Sequence, residues 1–150
     1  MSSAEGAAWF HPRILVGSGD WITPSRMARH NITHVVNCAM DEFCPLWWRL
    51  AHPLQYAVMN AIDSPGVNIL AWYPKFETAL RRFLREGDGV VYVHCQAGMN
   101  RSAFLALTFV CKNFGNSYDF MMKVTKHQRP CMYQNQVFMN QTREFVNGRL

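Results

Sequence analysis

Val90-Val91-Tyr92-Val93-His94-Cys95-Gln96-Ala97-Gly98-Met99-Asn100-Arg101-Ser102 decides how this chain folds. Its first four residues are β-branched or aromatic and favour a strand. A short loop containing a Cys, a Gly and an Arg follows, and Ser102 to Cys111 then reads as an apolar helix. A loop turning from strand to helix gathers successive backbone N–H groups at the positive end of the helix dipole, which suits a phosphate-like anion. Gly98 permits a backbone angle or a close approach that a side chain would block. Arg101 adds a planar, permanently charged fork able to grip two phosphoryl oxygens. Cys95, inside the same cradle, is expected to be a thiolate at neutral pH, because helix N-termini and cationic neighbours favour the charged sulfur. The loop is therefore equipped both to hold a phosphate and to attack it.

His94-Cys95-x-x-Gly98-x-x-Arg101-Ser102 resembles the signature loop of the cysteine-dependent protein tyrosine phosphatases, and its surroundings are most similar to the dual-specificity branch. A bare Cys and Arg at this spacing carry little weight. His94, Gly98 and Ser102, with the strand before and the helix after, make the match specific and set aside a buried structural Cys beside a surface Arg. The resemblance spans roughly Ile14 to Phe145, densely at the signature and thinly elsewhere; Pro130, Asn135, Phe138 and Gln141 echo the family's closing segment, although Gln134 stands where a Pro is usual. It implies a single α/β domain with a central, mostly parallel twisted sheet of four to five strands flanked by helices. Residues 1–12 are expected as an N-terminal tail and 13–150 as the catalytic domain.

The chain has 150 residues, enough for one domain with its own core, and with 49% hydrophobic and 17% charged residues it is not a disordered sequence. No apolar run reaches the ~18 residues of a membrane span, and Met1 to Trp9 lacks a basic segment followed by an apolar one. Five cysteines, Cys38, Cys44, Cys95, Cys111 and Cys131, make an odd set without a Cys-x-x-Cys pair, which disfavours a disulfide framework and a zinc site. These features predict a soluble, intracellular protein in a reducing compartment, in the cytoplasm or nucleus, without a membrane partner. The net charge of +5 suits anionic substrates, including phosphoproteins. No Lys/Arg run exceeds Arg81-Arg82, so a dedicated nucleic-acid surface is not favoured. Nothing in the pattern fixes an oligomeric state.

Ile14-Leu15-Val16 reads as a first strand, stopped by Gly17-Ser18-Gly19-Asp20. Thr23 and Pro24 are the N-cap and first residue of a short helix through about Arg29. His34 to Asn37 and Leu54 to Met59 are the next strands. Between them lie Asp41 to Pro53, with Trp47-Trp48, a pair read as core cover for one or both rings rather than a partner-binding patch. A turn-rich loop, Asn60 to Ile69, precedes a helix capped by Asn68 with Trp72, Phe76, Leu80 and Phe83 on its apolar face. Pro74 should kink that helix or delay its regular start. Arg81, Arg82 and Arg85 form its solvated side, and Gly87-Asp88-Gly89 ends it. Ser117 caps a helix to about His127, and Gln134 to Val146 forms the last one.

Breaking a phosphate monoester at neutral pH needs a nucleophile, charge stabilisation for the transferring group and an acid for the leaving oxygen. Cys95 and its loop supply the first two. Asp88 sits at the far end of the signature strand, Glu77 and Glu86 in a helix along the sheet, and Asp119 at the start of a later helix. Asp63 lies in a loop after a parallel strand, where such loops gather around ligands, and it matches the family's mobile acid loop. Asp63 is assigned as general acid, with Asp41 in reserve. Because the thiolate must leave again, Ser102 beside the loop is expected to donate a hydrogen bond to it; His94 either orders the loop through its ring hydrogen bonds or is a plain core histidine. Gln96, Ala97, Met99 and Asn100 are expected to contribute mainly backbone N–H groups, beside Gly98 and Arg101, to phosphate binding. No metal or organic cofactor is required. At 150 residues the chain leaves little room for the insertion that deepens a phosphotyrosine-only pocket, so hydrolysis of phosphotyrosine and phosphoserine/phosphothreonine through a phosphocysteine is favoured. The alternatives are an RNA 5′-phosphatase, a lipid phosphatase, and a non-catalytic phosphate-binding module.

Overall fold

A computed structural model of the protein describes residues 3–148. Its strands are β1 (Ala8–His11), β2 (Ile14–Ser18), β3 (Ile32–Asn37), β4 (Tyr56–Val58) and β5 (Val90–Cys95). They form one mixed sheet in the order β1-β2-β5-β3-β4. Only the β1–β2 pairing is antiparallel, so the architecture is the mostly parallel, helix-flanked sheet that the sequence predicts. The helices are α1 (Pro24–Arg29), α2 (Leu46–Ala51), α3 (Tyr73–Arg85), α4 (Arg101–Phe114), α5 (Tyr118–Gln128) and α6 (Gln136–Val146).

The central strand β5 is buried along its whole length, as its unbroken apolar run requires of a parallel strand covered on both faces. Alternate residues leave the sheet on opposite sides. Ile14, Val16, Val36, Val91, Val93 and Cys95 enter the larger core, with Phe76, Leu80 and Phe83 of α3, Phe104 and Phe109 of α4, Tyr118 of α5 and Phe138 of α6. Leu15, Val35, Val90 and Tyr92 face a smaller core closed by Trp21, Met27 of α1 and Trp48 of α2. Cys95 thus leaves the sheet toward α4, at the carboxyl ends of the parallel strands.

Local signals act where the sequence places them. The Thr23 side chain accepts from the Arg26 N–H, with Pro24 as the first helical residue. Ser117 accepts from the Phe120 N–H. Asn68 accepts from the Leu70 N–H and opens a 3-10 turn, Ile69–Trp72. Pro74, in the first turn of α3, is tolerated because its missing N–H would lack a helical acceptor there. The buried face of α3 is Tyr73, Phe76, Leu80 and Phe83, while Trp72 stays in the preceding turn.

Several boundaries differ from expectation, and the segment Asp41 to Pro53, left open by the sequence, acquires a helix. Residues 8–11, expected within the tail, form the edge strand β1, because Ala8 and Phe10 turn into the core while the backbone pairs with β2. The strand expected from Leu54 to Met59 keeps only Tyr56–Val58, since Pro53 starts a short 3-10 turn through Gln55. Asp41 to Pro53 contains α2; Trp48 is 3% exposed and Trp47 40%, so one ring of the pair covers core. The last helix begins at Gln136 instead of Gln134, with the Asn135 side chain accepting from the Phe138 N–H. Among the described residues, no helix is long and apolar enough to cross a membrane.

Candidate active site

β5 delivers Cys95 to the sheet edge, and residues 96–100 turn directly into α4. Each carbonyl in this turn is taken by a donor on the outside of the loop. His94 Nδ1 lies 2.9 Å from the Cys95 carbonyl oxygen, and the Gly19 N–H donates to Gln96 at 3.2 Å. The Arg129 guanidinium donates to the carbonyls of Ala97 and Gly98. The Tyr133 N–H donates to Met99 at 2.7 Å, and the Phe104 N–H to Asn100 at 2.9 Å as α4 begins. Among the described residues no peptide bond is cis, so an outward carbonyl fixes the next N–H inward. The N–H groups of 96–101 are therefore turned to the inner side of the loop, away from these donors.

Gly98 has φ +68°, and a Cβ there would sit 2.4 Å from the Gly17 carbonyl carbon. Only glycine meets both the conformation and the contact. Ser102 Oγ lies 3.2 Å from Cys95 Sγ. Arg101 is 9% exposed; one terminal nitrogen donates to the Ala61 carbonyl at 3.0 Å, while its buried Nε has no partner among the described residues. An unpartnered buried guanidinium N–H is costly unless a ligand meets it, and a phosphoryl oxygen is the natural acceptor beside this loop.

Asp63, in the loop between β4 and α3, reaches the same end of the sheet. Its carboxylate accepts from the side-chain amides of Asn100 at 2.9 Å and Asn135 at 3.1 Å. The Asn100 side-chain oxygen in turn accepts from the backbone N–H groups of Gln134 and Asn135, both at 2.8 Å. Asn100, expected to act through its backbone, thus also ties the acid loop to the closing segment with its side chain. Asp41 accepts instead from the Tyr56 hydroxyl at 2.7 Å. The Gln96 side chain is exposed and borders a cavity of about 500 Å³ with Gly19, Asp20, Glu42, Phe43 and Pro45.

His94 is fully buried, and burial lowers its pKa to about 4. It is a neutral ring with its proton on Nδ1, where the carbonyl accepts it. Burial also holds the Cys38 thiol well above its ordinary range, Cys44 up to about 12 and Cys111 up to about 11. These three are protonated core thiols. Among the described residues no group of three His, Cys, Asp or Glu side chains could hold a metal ion.

Sequence reading missed Arg129, Tyr133 and the side-chain role of Asn135. Tyr133 is a non-glycine residue at φ +68°, a conformation costly for a bulky side chain, and it is held there by its N–H on Met99 and its hydroxyl 2.6 Å from Thr125 Oγ1. The one local signal was the segment Arg129 to Asn135 following a helix end, of which only Pro130 and Asn135 stood out.

The model of the dual specificity phosphatase catalytic domain matches residues 14–147. Mouse dual specificity protein phosphatase 19 is 30% identical over 147 residues, 92% of this chain and 61% of that protein. A probable dual specificity protein phosphatase of Dictyostelium discoideum is 29% identical over 136 residues, 89% of this chain and 32% of that protein. The human serine/threonine/tyrosine-interacting protein is 28% identical over 123 residues, 79% of this chain and 53% of that protein. The chain spans between about a third and three fifths of the length of these relatives. The crystal structure of human DUSP28 has the same fold, with a TM-score of 0.80 at 22% identity, covering 95% of this chain and 94% of that one. Match and architecture agree with the loop geometry, and the chain belongs to the family of dual specificity phosphatase catalytic domains.

Proposed function

We propose that the protein hydrolyses phosphate monoesters on tyrosine and on serine or threonine of phosphoproteins, in two steps through a phosphocysteine. The observation that carries this reading is the phosphate loop itself, whose carbonyls all face outward and whose N–H groups are turned to its inner side. In the first step Cys95 Sγ attacks phosphorus in line, the ester P–O bond breaks, and Asp63 gives its proton to the departing oxygen. The loop N–H groups and Arg101 bear the charge on the equatorial oxygens. In the second step the Asp63 carboxylate takes a proton from water as it attacks, and the S–P bond breaks. Ser102 Oγ, 3.2 Å from the sulfur, donates to the thiolate as it leaves. Cys95, Arg101 and Asp63 held together in one site favour turnover over simple phosphate capture. Uncharged side chains at Gln96, Ala97, Met99 and Asn100 favour protein over polyanionic lipid substrates.

Steady-state turnover of an aryl phosphate tests the reading, with binding of a phosphopeptide measured alongside. The wild type is expected to turn over; Cys95→Ser is expected to lose turnover while keeping the peptide. Turnover by Cys95→Ser would remove the nucleophile assignment. Binding without turnover by the wild type would make the chain a phosphate-binding module.

A further inference from the structure

We propose that Arg129 is the positioning residue that locks the phosphate loop in its anion-receiving conformation, by fixing the two peptide units that flank Gly98. This rests on the phosphate-site reading above and adds a residue 28 positions beyond the signature arginine Arg101. The Arg129 Nε donates to the Gly98 carbonyl at 3.1 Å, and one terminal nitrogen donates to the Ala97 carbonyl. Those carbonyls belong to the peptide units that carry the N–H groups of Met99 and Gly98, so one planar fork aims two anion donors.

The loop needs such a lock at this place. Glycine is obligatory at 98, where a Cβ would strike the end of β2 at Gly17 and Ser18. Glycine also leaves the adjoining peptide planes the cheapest in the loop to turn over. A flipped unit would point a carbonyl oxygen at the phosphate in place of an N–H, exchanging attraction for repulsion. The remaining loop carbonyls are held by backbone donors or by buried His94. Among the described residues, Arg129 is the only side chain from beyond the signature that holds two of them. Its third bond, to the Gly6 carbonyl at 2.8 Å, fixes the fork from the far side. The turn carrying Gly6 is itself anchored, since the Trp21 indole N–H donates to Ala4 and the Gln128 side chain clasps the Trp9 backbone on both N–H and carbonyl. Arg129 therefore joins the turn at Gly6 to the phosphate loop.

The test uses inorganic tungstate as probe, with calorimetric binding to the wild type, Arg129→Ala and Arg129→Lys, and aryl phosphate kinetics in parallel. Loss of a partner that orients first-contact groups weakens binding by about 10- to 100-fold, and that loss is expected for Arg129→Ala. It should appear as a raised KM and a weaker tungstate affinity. The ratio of rates on alkyl and aryl phosphates should stay near the wild-type value, because Asp63 is tethered by Asn100 and Asn135 and not by Arg129. Arg129→Lys should fall between, as one ammonium cannot serve both carbonyls in plane, and added guanidinium ion should restore part of the binding of Arg129→Ala. If Arg129→Ala does not fold, the lysine variant decides alone. Tungstate affinity equal to wild type in a folded variant overturns the lock and leaves the phosphate site standing. A wild type that does not take up tungstate overturns the site reading, and the lock with it.

Discussion

At the scale of single residues, the site combines groups whose role follows from what they touch. Arg101 is half satisfied, with one arm on Ala61 and a buried Nε free for a ligand. Ser102 stands by the sulfur. His94 is buried neutral, with a pKa lowered to about 4 by desolvation against about 6.5 for an exposed ring. The unfolded chain therefore binds the extra proton first, and stability contributed by the neutral ring is full above pH 6.5 and lost as pH falls through 6.5 toward 4. The slope of one proton over that interval amounts to about 3 kcal/mol. Glu5, held near a pKa of about 2 by Arg29 and His30, loses its contribution only below about 4.5, largely outside this window. Thermal unfolding followed between pH 7 and 4.5 should show a falling midpoint in the wild type and a flatter one in His94→Asn, which keeps the part due to His11, whose pKa burial also lowers. Equal slopes in the two proteins would mean that another group carries the effect.

At the scale of elements, three loops meet at the carboxyl end of the sheet: the phosphate loop, the acid loop after β4 and the closing segment before α6. Asn100 joins all three, with its amide on Asp63 and its oxygen on the N–H groups of Gln134 and Asn135. Asp63 is thus presented by a held loop, and under the proposed role as general acid its contribution should depend on the leaving group. Asp63→Asn is expected to slow hydrolysis of alkyl phosphates, whose leaving oxygen needs a proton, by about 10²–10⁴, and to slow an activated aryl phosphate far less. Steady-state rates on the two substrate types check this, and an equal loss on both would assign Asp63 to loop structure alone. The elements differ in how far the sequence betrays them. Thr23-Pro24, Ser117 and the run Val90 to Cys95 announce themselves because their signals are local. β1 hides because four residues ending in His11 pair with a strand only two residues away in sequence and carry little pattern. Arg129 hides for the opposite reason: its acceptors are backbone carbonyls 31, 32 and 123 residues distant, and a carbonyl leaves no mark in a sequence. The placement of Asp63 at this end of the sheet was legible because a parallel strand sends its following loop there.

At the scale of the molecule, the fold places Cys95 at the end of the central strand, which has neighbours and cores on both sides. β5 is flanked by β2 and β3, and the two cores hold it from above and below. Cys95 is consequently fixed in position, while the segments carrying Asp63 and Asn135 reach the same end of the sheet and are tied together through Asn100. Four of the five cysteines play no part in this arrangement, and three of those are protonated by burial. Chemistry through sulfur should therefore be confined to one residue. Rapid acid quench of the protein during turnover of an aryl phosphate, followed by peptide mass analysis, measures this directly. The expected result is a single phosphoryl group on the peptide that carries Cys95; turnover with the phosphoryl group on any other residue, or with none on the protein, would contradict it.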